Sequence, residues 1–220
     1  MAKKKSPLMK YGVIIIIILF LGSTLAIGLQ TLGQTEPTII KDKEEIIVKD
    51  YTFYFDDVEN TYSIFAKIEN NQIIYNIPLT EATTRFAFRE DPRTIGEIHL
   101  DEDVTDKLLA GNKIYLTYNP NENNVSKIVV AGIEVARILG NVFGLNIIEA
   151  YTEDANPINE DVPLRDCSDA SNTTTVIQLE VSDKTEIISE GNCIILKGTT
   201  PDELIRSADK LGMNLIGIEL

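Results

Sequence analysis

The single histidine of the chain lies among alternating acidic residues, a pattern that could bind a metal ion. Glu97, His99 and Asp101 are each separated by one residue, so in an extended strand their side chains would share one face about 7 Å apart. Divalent cations accept such nitrogen and oxygen ligands. The alternation with Ile98 and Leu100 also describes an ordinary strand whose polar face is in water, and we favour that interpretation.

Acidic residues also recur in clusters, and carboxylate oxygens are the ligands that calcium prefers. The clusters lack the ligand spacing and turn glycine of a calcium loop, so we interpret them as solvated loop carboxylates and helix caps, with Asp103 capping a short helix through Leu109. Paired carboxylates could support hydrolysis, but the sequence does not identify the pair. The clusters are 56–57, 90–91, 101–103, 153–154 and 160–161.

Nucleophilic catalysis and cofactor binding have little support in the sequence. The chain has one His and no Gly-x-Ser-x-Gly motif, so a Ser-His-Asp arrangement would depend on His99. The loop 119–124 follows a predicted strand, where α/β sheets commonly bind ligands. It contains no Gly, Lys or Arg, and Glu122 would repel a phosphate. No cofactor is predicted.

Two short motifs match the acceptor sequence for N-glycosylation. They begin at Asn124 and Asn172, in the sequences Asn-Val-Ser and Asn-Thr-Thr. A chain rich in Asn, Ser and Thr contains such motifs by chance. They become informative only if this part of the chain lies outside the cell.

The charge of the chain is unevenly distributed. The chain has 20 basic and 34 acidic residues, a net charge of −14, and four of the lysines precede an apolar segment. The remainder therefore has 16 basic against 34 acidic residues, a net charge of −18. Such a surface repels phosphate backbones, which argues against nucleic acid as a partner. The four lysines are Lys3, Lys4, Lys5 and Lys10.

The apolar segment at 11–29 predicts a membrane helix. It has about nineteen residues without a charge, which at 1.5 Å per residue spans a hydrocarbon core of roughly 30 Å. The lysines before it place the tail 1–10 in the cytoplasm and the remainder outside, as a single-pass protein. A cleaved signal peptide is the alternative, with small residues at Ala26 and Gly28 near plausible cleavage sites and secretion as the result. We favour retention, because apolar residues continue to Leu29.

The two cysteines, Cys167 and Cys193, both follow the apolar segment, and no CxxC or Cys/His motif accompanies them. In an extracytoplasmic region a disulfide is the expected state. Two unpaired buried thiols are the alternative. We predict the disulfide, which would tether a long polar loop at 155–175 to the strand that begins at Cys193.

A stalk at 30–44 leads to a predicted antiparallel meander within 45–94. Its strands are rich in aromatic and β-branched residues. Asn70-Asn71 between two of them predicts a tight turn. The predicted strands are 51–55, 62–68, 72–77 and 85–89.

The part at 95–220 predicts an α/β arrangement. A strand at 113–118, a helix at 126–143 ended by Gly144, and a strand at 145–151 form a βαβ unit. The helix is apolar on so many sides that we expect a sheet and another element or chain to cover it. Further strands are predicted at 176–181, 185–188 and from Cys193 onward.

The last helix has a clear start signal. Thr200 is placed to be the N-cap, Pro201 the first helical residue, and Glu203 the second half of a capping box. The fold class is therefore α+β: an N-terminal membrane helix, a β-rich meander, then an α/β part with a βαβ unit and a C-terminal strand and helix.

Several stretches resemble uncharacterised archaeal membrane-anchored or surface-layer-like envelope proteins. They are FREDPR at 88–93, KIYLTYNP at 113–120, GNCIILKG at 191–198 and ELIRSADKL at 203–211. The resemblance implies a location in an archaeal cell envelope. It carries no activity over to this chain.

Three functional hypotheses follow. The first is a noncatalytic, membrane-anchored envelope protein that binds an envelope protein partner or self-associates. The second is an extracytoplasmic hydrolase or transferase that uses carboxylates or a metal at Glu97, His99 and Asp101. The third is a receptor or solute-binding module, which requires an apolar cleft between the β-rich part and the α/β part.

Overall fold

The structure is a computed structural model. Three predictions lie outside the residues that it describes: the tail 1–10, the membrane helix 11–29 and the stalk up to residue 42. Among the described residues, no helix combines the length and apolar character needed to cross a membrane. The described residues are 43–70, 72–77, 83–111, 113–155 and 161–220.

The first described part of the chain forms an antiparallel sheet of five strands. The strands β1 to β4 are neighbours in chain order, whereas β5 pairs with β3 rather than with β4. The β-rich prediction is therefore right in class, but a simple meander is wrong for the last strand. The strands are β1 (Glu44–Val48), β2 (Tyr51–Asp56), β3 (Thr61–Glu69), β4 (Gln72–Ile74) and β5 (Thr84–Phe88).

The hairpin between β3 and β4 has the predicted turn. Glu69 pairs with Gln72, and Asn70 has a positive φ of 51°, which asparagine tolerates well. The strand predicted at 72–77 is too long, because β4 ends at Ile74. Asn76 also has a positive φ, 56°, and its side-chain amide donates to the Asp50 carbonyl at 2.9 Å.

The second part of the chain forms a mixed sheet with the order β6-β10-β11-β9-β7-β8. The β10–β11 pair is antiparallel and the other described pairs are parallel. The elements are β6 (His99–Leu100), α1 (Val104–Ala110), β7 (Lys113–Tyr118), α2 (Val125–Phe143), β8 (Ile147–Tyr151), β9 (Thr174–Val181), β10 (Glu186–Glu190), β11 (Cys193–Gly198) and α3 (Pro201–Leu215), with a 3-10 turn at Cys167–Asp169.

The predicted βαβ unit is confirmed. β7 and β8 are parallel neighbours and α2 connects them. Gly144 follows α2 with a φ of 67°, and its N–H donates to the Gly140 carbonyl. This left-handed conformation ends a helix at little steric cost when the residue is glycine.

Close contacts at two glycines bring α2 against both of its neighbours. A Cβ atom at Gly132 would lie 2.8 Å from the Leu116 side chain of β7. A Cβ atom at Gly212 of α3 would lie 2.7 Å from the Ile138 side chain of α2 and 3.3 Å from the Phe88 ring of β5. The expectation that α2 is covered on two faces is confirmed, with α3 as the second neighbour. One hydrophobic core joins both sheets and these helices.

A smaller core lies on the opposite face of the mixed sheet. It contains Tyr115, Val176 and Ile195 together with Cys193, and Cys167 packs against it. The predicted disulfide is confirmed, with 5.2 Å between the two cysteine Cα atoms. The polar segment that carries Cys167 is therefore tied across this face.

The start of α3 matches the predicted signal except for the capping box. Thr200 is the N-cap, and its hydroxyl accepts the Glu203 N–H at 3.2 Å, with Pro201 in the first turn. The Glu203 carboxylate does not complete the box. It accepts from the Thr185 hydroxyl at 3.1 Å and from the Arg206 guanidinium at 3.0 Å.

Removal of this cap gives a stability prediction. We expect Thr200→Ala to lower the free energy of unfolding by about 1 kcal/mol, because the Glu203 N–H loses its partner at the helix start. Denaturant unfolding of the purified full-length protein measures the loss. Thr199→Ala, at the exposed preceding position, is the matched control. Equal losses in both variants would contradict a capping role.

Candidate functional site

The structure brings two of the three candidate metal ligands together. The His99 Nε2 atom lies 2.9 Å from an Asp101 carboxylate oxygen. The Glu97 carboxylate instead lies 3.8 Å from the Arg206 guanidinium. Ile98 is buried while His99 is exposed, as in a strand with its polar face in water. In the part of the chain that the structure describes, no group of three or more His, Cys, Asp or Glu side chains is placed to hold a metal ion.

Asp101 connects the histidine to β10. Its second carboxylate oxygen accepts the Ser189 N–H at 2.8 Å. This hydrogen bond makes the largest contribution to lowering the pKa of Asp101, and the hydrogen bond with His99 makes the next largest. Asp101 therefore stays ionised and fixes the residues after β6 against β10, which is a structural contribution.

Ser189 contacts this histidine pair through its main-chain N–H, but its hydroxyl has other partners. It donates to the Asp103 carboxylate at 2.6 Å and accepts from the Lys107 ammonium at 2.9 Å. The pKa of Asp103 is lowered by hydrogen bonds from Lys107 and Ser189. A carboxylate with a lowered pKa is a weak general base near neutral pH. The arrangement thus does not activate Ser189 as a nucleophile.

The same contacts change the predicted role of Asp103. The short helix predicted after it is confirmed as α1, and Asp103 occupies the N-cap position. Its side chain makes no capping hydrogen bond, because the carboxylate binds Ser189 and Lys107 instead.

Both predicted glycosylation acceptors are exposed. Asn124 directly precedes α2 with a positive φ of 56°, and Asn172 lies in the turn before β9. Their side chains are accessible to a modifying enzyme. Their glycosylation stays a prediction.

A buried carboxylate that sequence reasoning missed lies on α3. Asp209 is 1% exposed, and one of its oxygens accepts the N–H groups of Arg89 and Glu90, each at 2.7 Å. Its other oxygen has no hydrogen-bond partner among the described residues. Burial raises the pKa of Asp209 to about 7, so its neutral form is favoured at mildly acidic pH.

Glu134 of α2 extends this polar network. It accepts from the Arg89 side chain at 2.8 Å and from the Arg137 side chain at 3.0 Å. Arg137 also donates to the Ala87 carbonyl at 2.6 Å. The network ties the end of β5 to both long helices, so its contacts position the two sheets relative to each other.

An apolar cleft lies where the β3–β4 hairpin faces the ends of α2 and α3. Its volume is about 880 Å³, which is within the usual range for small-molecule sites. One wall contains Ile68, which is 43% exposed, and Ile73, its partner across the β3–β4 pair and therefore on the same face of the hairpin. The facing wall contains Val142 and Phe143 at the end of α2 and Ile216 after α3. This is the kind of cleft that the third functional hypothesis requires.

Two tyrosines fix the floor of the cleft. The Tyr51 hydroxyl donates to the Gly217 carbonyl at 2.9 Å, and the Tyr75 hydroxyl donates to the Ile216 carbonyl. Their rings meet edge to face with centroids 5.3 Å apart. Burial raises the pKa of Tyr75, so its hydroxyl stays protonated and can keep donating. The hydrogen bonds join the antiparallel sheet to the end of α3 and fix the position of one wall relative to the other.

Among the described residues that line the cleft, none has an acidic or basic side chain. Gln72 supplies an exposed, uncharged amide at the rim. The C-terminal ends of α2 and α3 both meet the cleft, and helix C-termini carry partial negative charge. The cleft is thus apolar, with a weakly negative end.

The chain and its fold were compared with known proteins. No family model, no curated protein and no solved structure matches this chain. The cleft and its lining are therefore the observations from which a function is inferred.

Proposed function

We propose that this protein is a noncatalytic binding protein of the cell envelope, anchored by the apolar segment 11–29, and that its extracytoplasmic domain binds a ligand in the apolar cleft. The observation that carries the proposal is the cleft between the β3–β4 hairpin and the ends of α2 and α3. Concave apolar sites between structural units are common ligand sites.

The location outside the cytoplasm is supported by three features. The lysines before the apolar segment favour an internal N-terminus. The remainder is strongly acidic, and the Cys167–Cys193 disulfide is typical of oxidising compartments. The resemblance to archaeal envelope proteins agrees with this location. Comparison of the mass of the membrane-extracted protein with that of the full chain tests whether the segment is retained.

Binding is favoured over catalysis by the surroundings of the candidate catalytic groups. Ser189 donates to a carboxylate of lowered pKa, and Glu97 pairs with Arg206. Within the cleft, the hydroxyls of Tyr51 and Tyr75 donate to main-chain carbonyls. These groups are engaged in holding the fold.

Photocrosslinking from inside the cleft tests the proposal. We expect a photoreactive benzophenone side chain in place of Ile68 to capture a ligand when the intact protein is irradiated in its membrane. Ile68 is 43% exposed and lies on the same face of the hairpin as Ile73, so the larger side chain can be accommodated.

The matched control is the same replacement at Ile47, which is 70% exposed on β1 and is not part of the cleft lining. A specific adduct at position 68 that is absent at position 47 supports a binding cleft. No adduct at position 68, or equal adducts at both positions, would remove the support for it.

A further inference from the structure

The size and shape of the cleft restrict what can occupy it. A volume of about 880 Å³ suits a small molecule, whereas specific protein partners usually bury a much larger surface. A peptide could add a strand to a sheet edge, but β4 on this wall has three residues. So short a strand offers few main-chain hydrogen bonds, and the geometry favours a small molecule over an extended peptide.

The side chains of the cleft favour a ligand that is largely apolar. One wall contains Ile68 and Ile73, and the other contains Val142 and Phe143, so both offer aliphatic or aromatic surface. Removal of such surface from water is favourable in proportion to its area. An apolar chain lying between the walls would cover the exposed parts of both isoleucines.

The charges around the cleft select against an anionic head group. The part of the lining that the structure describes has no cationic side chain, and two helix C-termini meet there with partial negative charge. The chain after the apolar segment is strongly acidic. A carboxylate or phosphate would therefore lose hydration without gaining a partner, whereas Gln72 at the rim can hydrogen-bond an uncharged polar group.

From these observations we infer that the cleft binds a small, uncharged amphiphile with one apolar chain, of the chemical class of a neutral monoacyl lipid. The inference depends on the proposed function, because it names the ligand class of the same cleft. The apolar chain lies between the isoleucine wall and the helix ends, and the uncharged head group lies at the rim beside Gln72.

Two photoreactive probes with the same chain test the inference on the intact protein in bilayer nanodiscs. One is a diazirine-bearing monoacylglycerol, and the other is the matching diazirine fatty acid, which is anionic. Mass spectrometry of the digested protein then locates the labelled peptides. We expect the neutral probe to label the segments that contain Ile68 to Tyr75 and Val142 to Phe143, and an excess of unlabelled monoacylglycerol to suppress this labelling.

A charge placed in the wall provides the matched comparison. We expect Ile68→Asp to reduce labelling of the cleft by the neutral probe by roughly tenfold, since a carboxylate there loses hydration when an apolar chain covers it. Ile47→Asp, which is equally charged but outside the cleft, should label as the unchanged protein does. The melting temperatures of both variants show whether they are folded.

The outcomes separate the ligand class from the proposed function. Stronger cleft labelling by the fatty acid, or labelling by the neutral probe that excess monoacylglycerol does not suppress, overturns the inference. If the benzophenone at position 68 captures a protein or an anionic molecule, the binding function stands and the neutral-lipid assignment fails. If neither experiment labels the cleft, both proposals fail.

Discussion

Replacement of both cysteines by alanine is expected to lower the free energy of unfolding by roughly 3.5 kcal/mol, the loop-closure value for a bond of this span. Cys167 and Cys193 are 26 positions apart. Cys193 begins β11, between β10 and β9 in the mixed sheet, and is 1% exposed. Loss of the bond frees the segment that covers Tyr115 and Val176, so the smaller core loses its tether as well.

Denaturant unfolding of the full-length protein, at one detergent concentration, measures this loss. The unchanged protein treated with a reducing agent is the control, because reduction removes the same bond without a substitution. The two samples should unfold at similar denaturant concentrations. A loss below about 1 kcal/mol would show that the bond constrains the unfolded chain much less than expected.

Asp209→Asn is expected to change how stability depends on pH. Burial raises the pKa of Asp209 from 3.8 to about 7 in the folded protein. Between these values the folded state holds a proton that the unfolded state has released, so the stability of the unchanged protein falls as pH rises through this window. The nearby carboxylates of Glu134 and Glu90 act in the same direction, while the N–H groups of Arg89 and Glu90 oppose it.

Asparagine resembles the protonated carboxyl and does not titrate. The variant's stability minus that of the unchanged protein should therefore increase by roughly 2 to 3 kcal/mol as the pH rises from about 5 to about 8. Other titrating groups are common to both proteins and cancel in the difference. Asp202→Asn, which removes an exposed carboxylate from the same helix, is the control for the loss of a charge. A flat difference between Asp209→Asn and the unchanged protein would contradict the buried, protonated state.

The parts of the fold that sequence could predict are those that neighbouring residues determine. The βαβ unit follows from a β-branched strand, a helix periodicity and Gly144 within about forty residues. The start of α3 follows from Thr200 and Pro201. The disulfide follows from two cysteines and an expected export signal. In each case the information is local or involves a single pair.

The parts that sequence could not predict depend on contacts between distant segments. β5 joins β3 rather than β4, and β6 lies parallel to β10. The Glu203 carboxylate binds Thr185 and Arg206 in place of the Thr200 N–H. These tertiary partners replace the local capping box, because the whole fold places Thr185 and Arg206 within reach of the Glu203 carboxylate.

The candidate site also combines features that the sequence could predict with contacts between distant segments that it could not. Sequence reasoning could state that a binding module needs an apolar cleft between the two parts of the chain, but it could not name the lining. The tyrosine hydrogen bonds from Tyr51 and Tyr75 end at Gly217 and Ile216, far along the chain. Asp209 was missed because a polar residue on a helix usually faces water, and its burial arises from the packing of β5 and α2 around α3.

Native mass spectrometry of the intact protein, released gently from its membrane, tests the central claim most directly. The account predicts a noncovalently bound small molecule on the unchanged protein and on Ile47→Asp, and loss of most of that bound mass on Ile68→Asp. Equal bound mass on all three proteins, or none on the unchanged protein, would contradict a ligand-binding cleft between the β3–β4 hairpin and the helix ends.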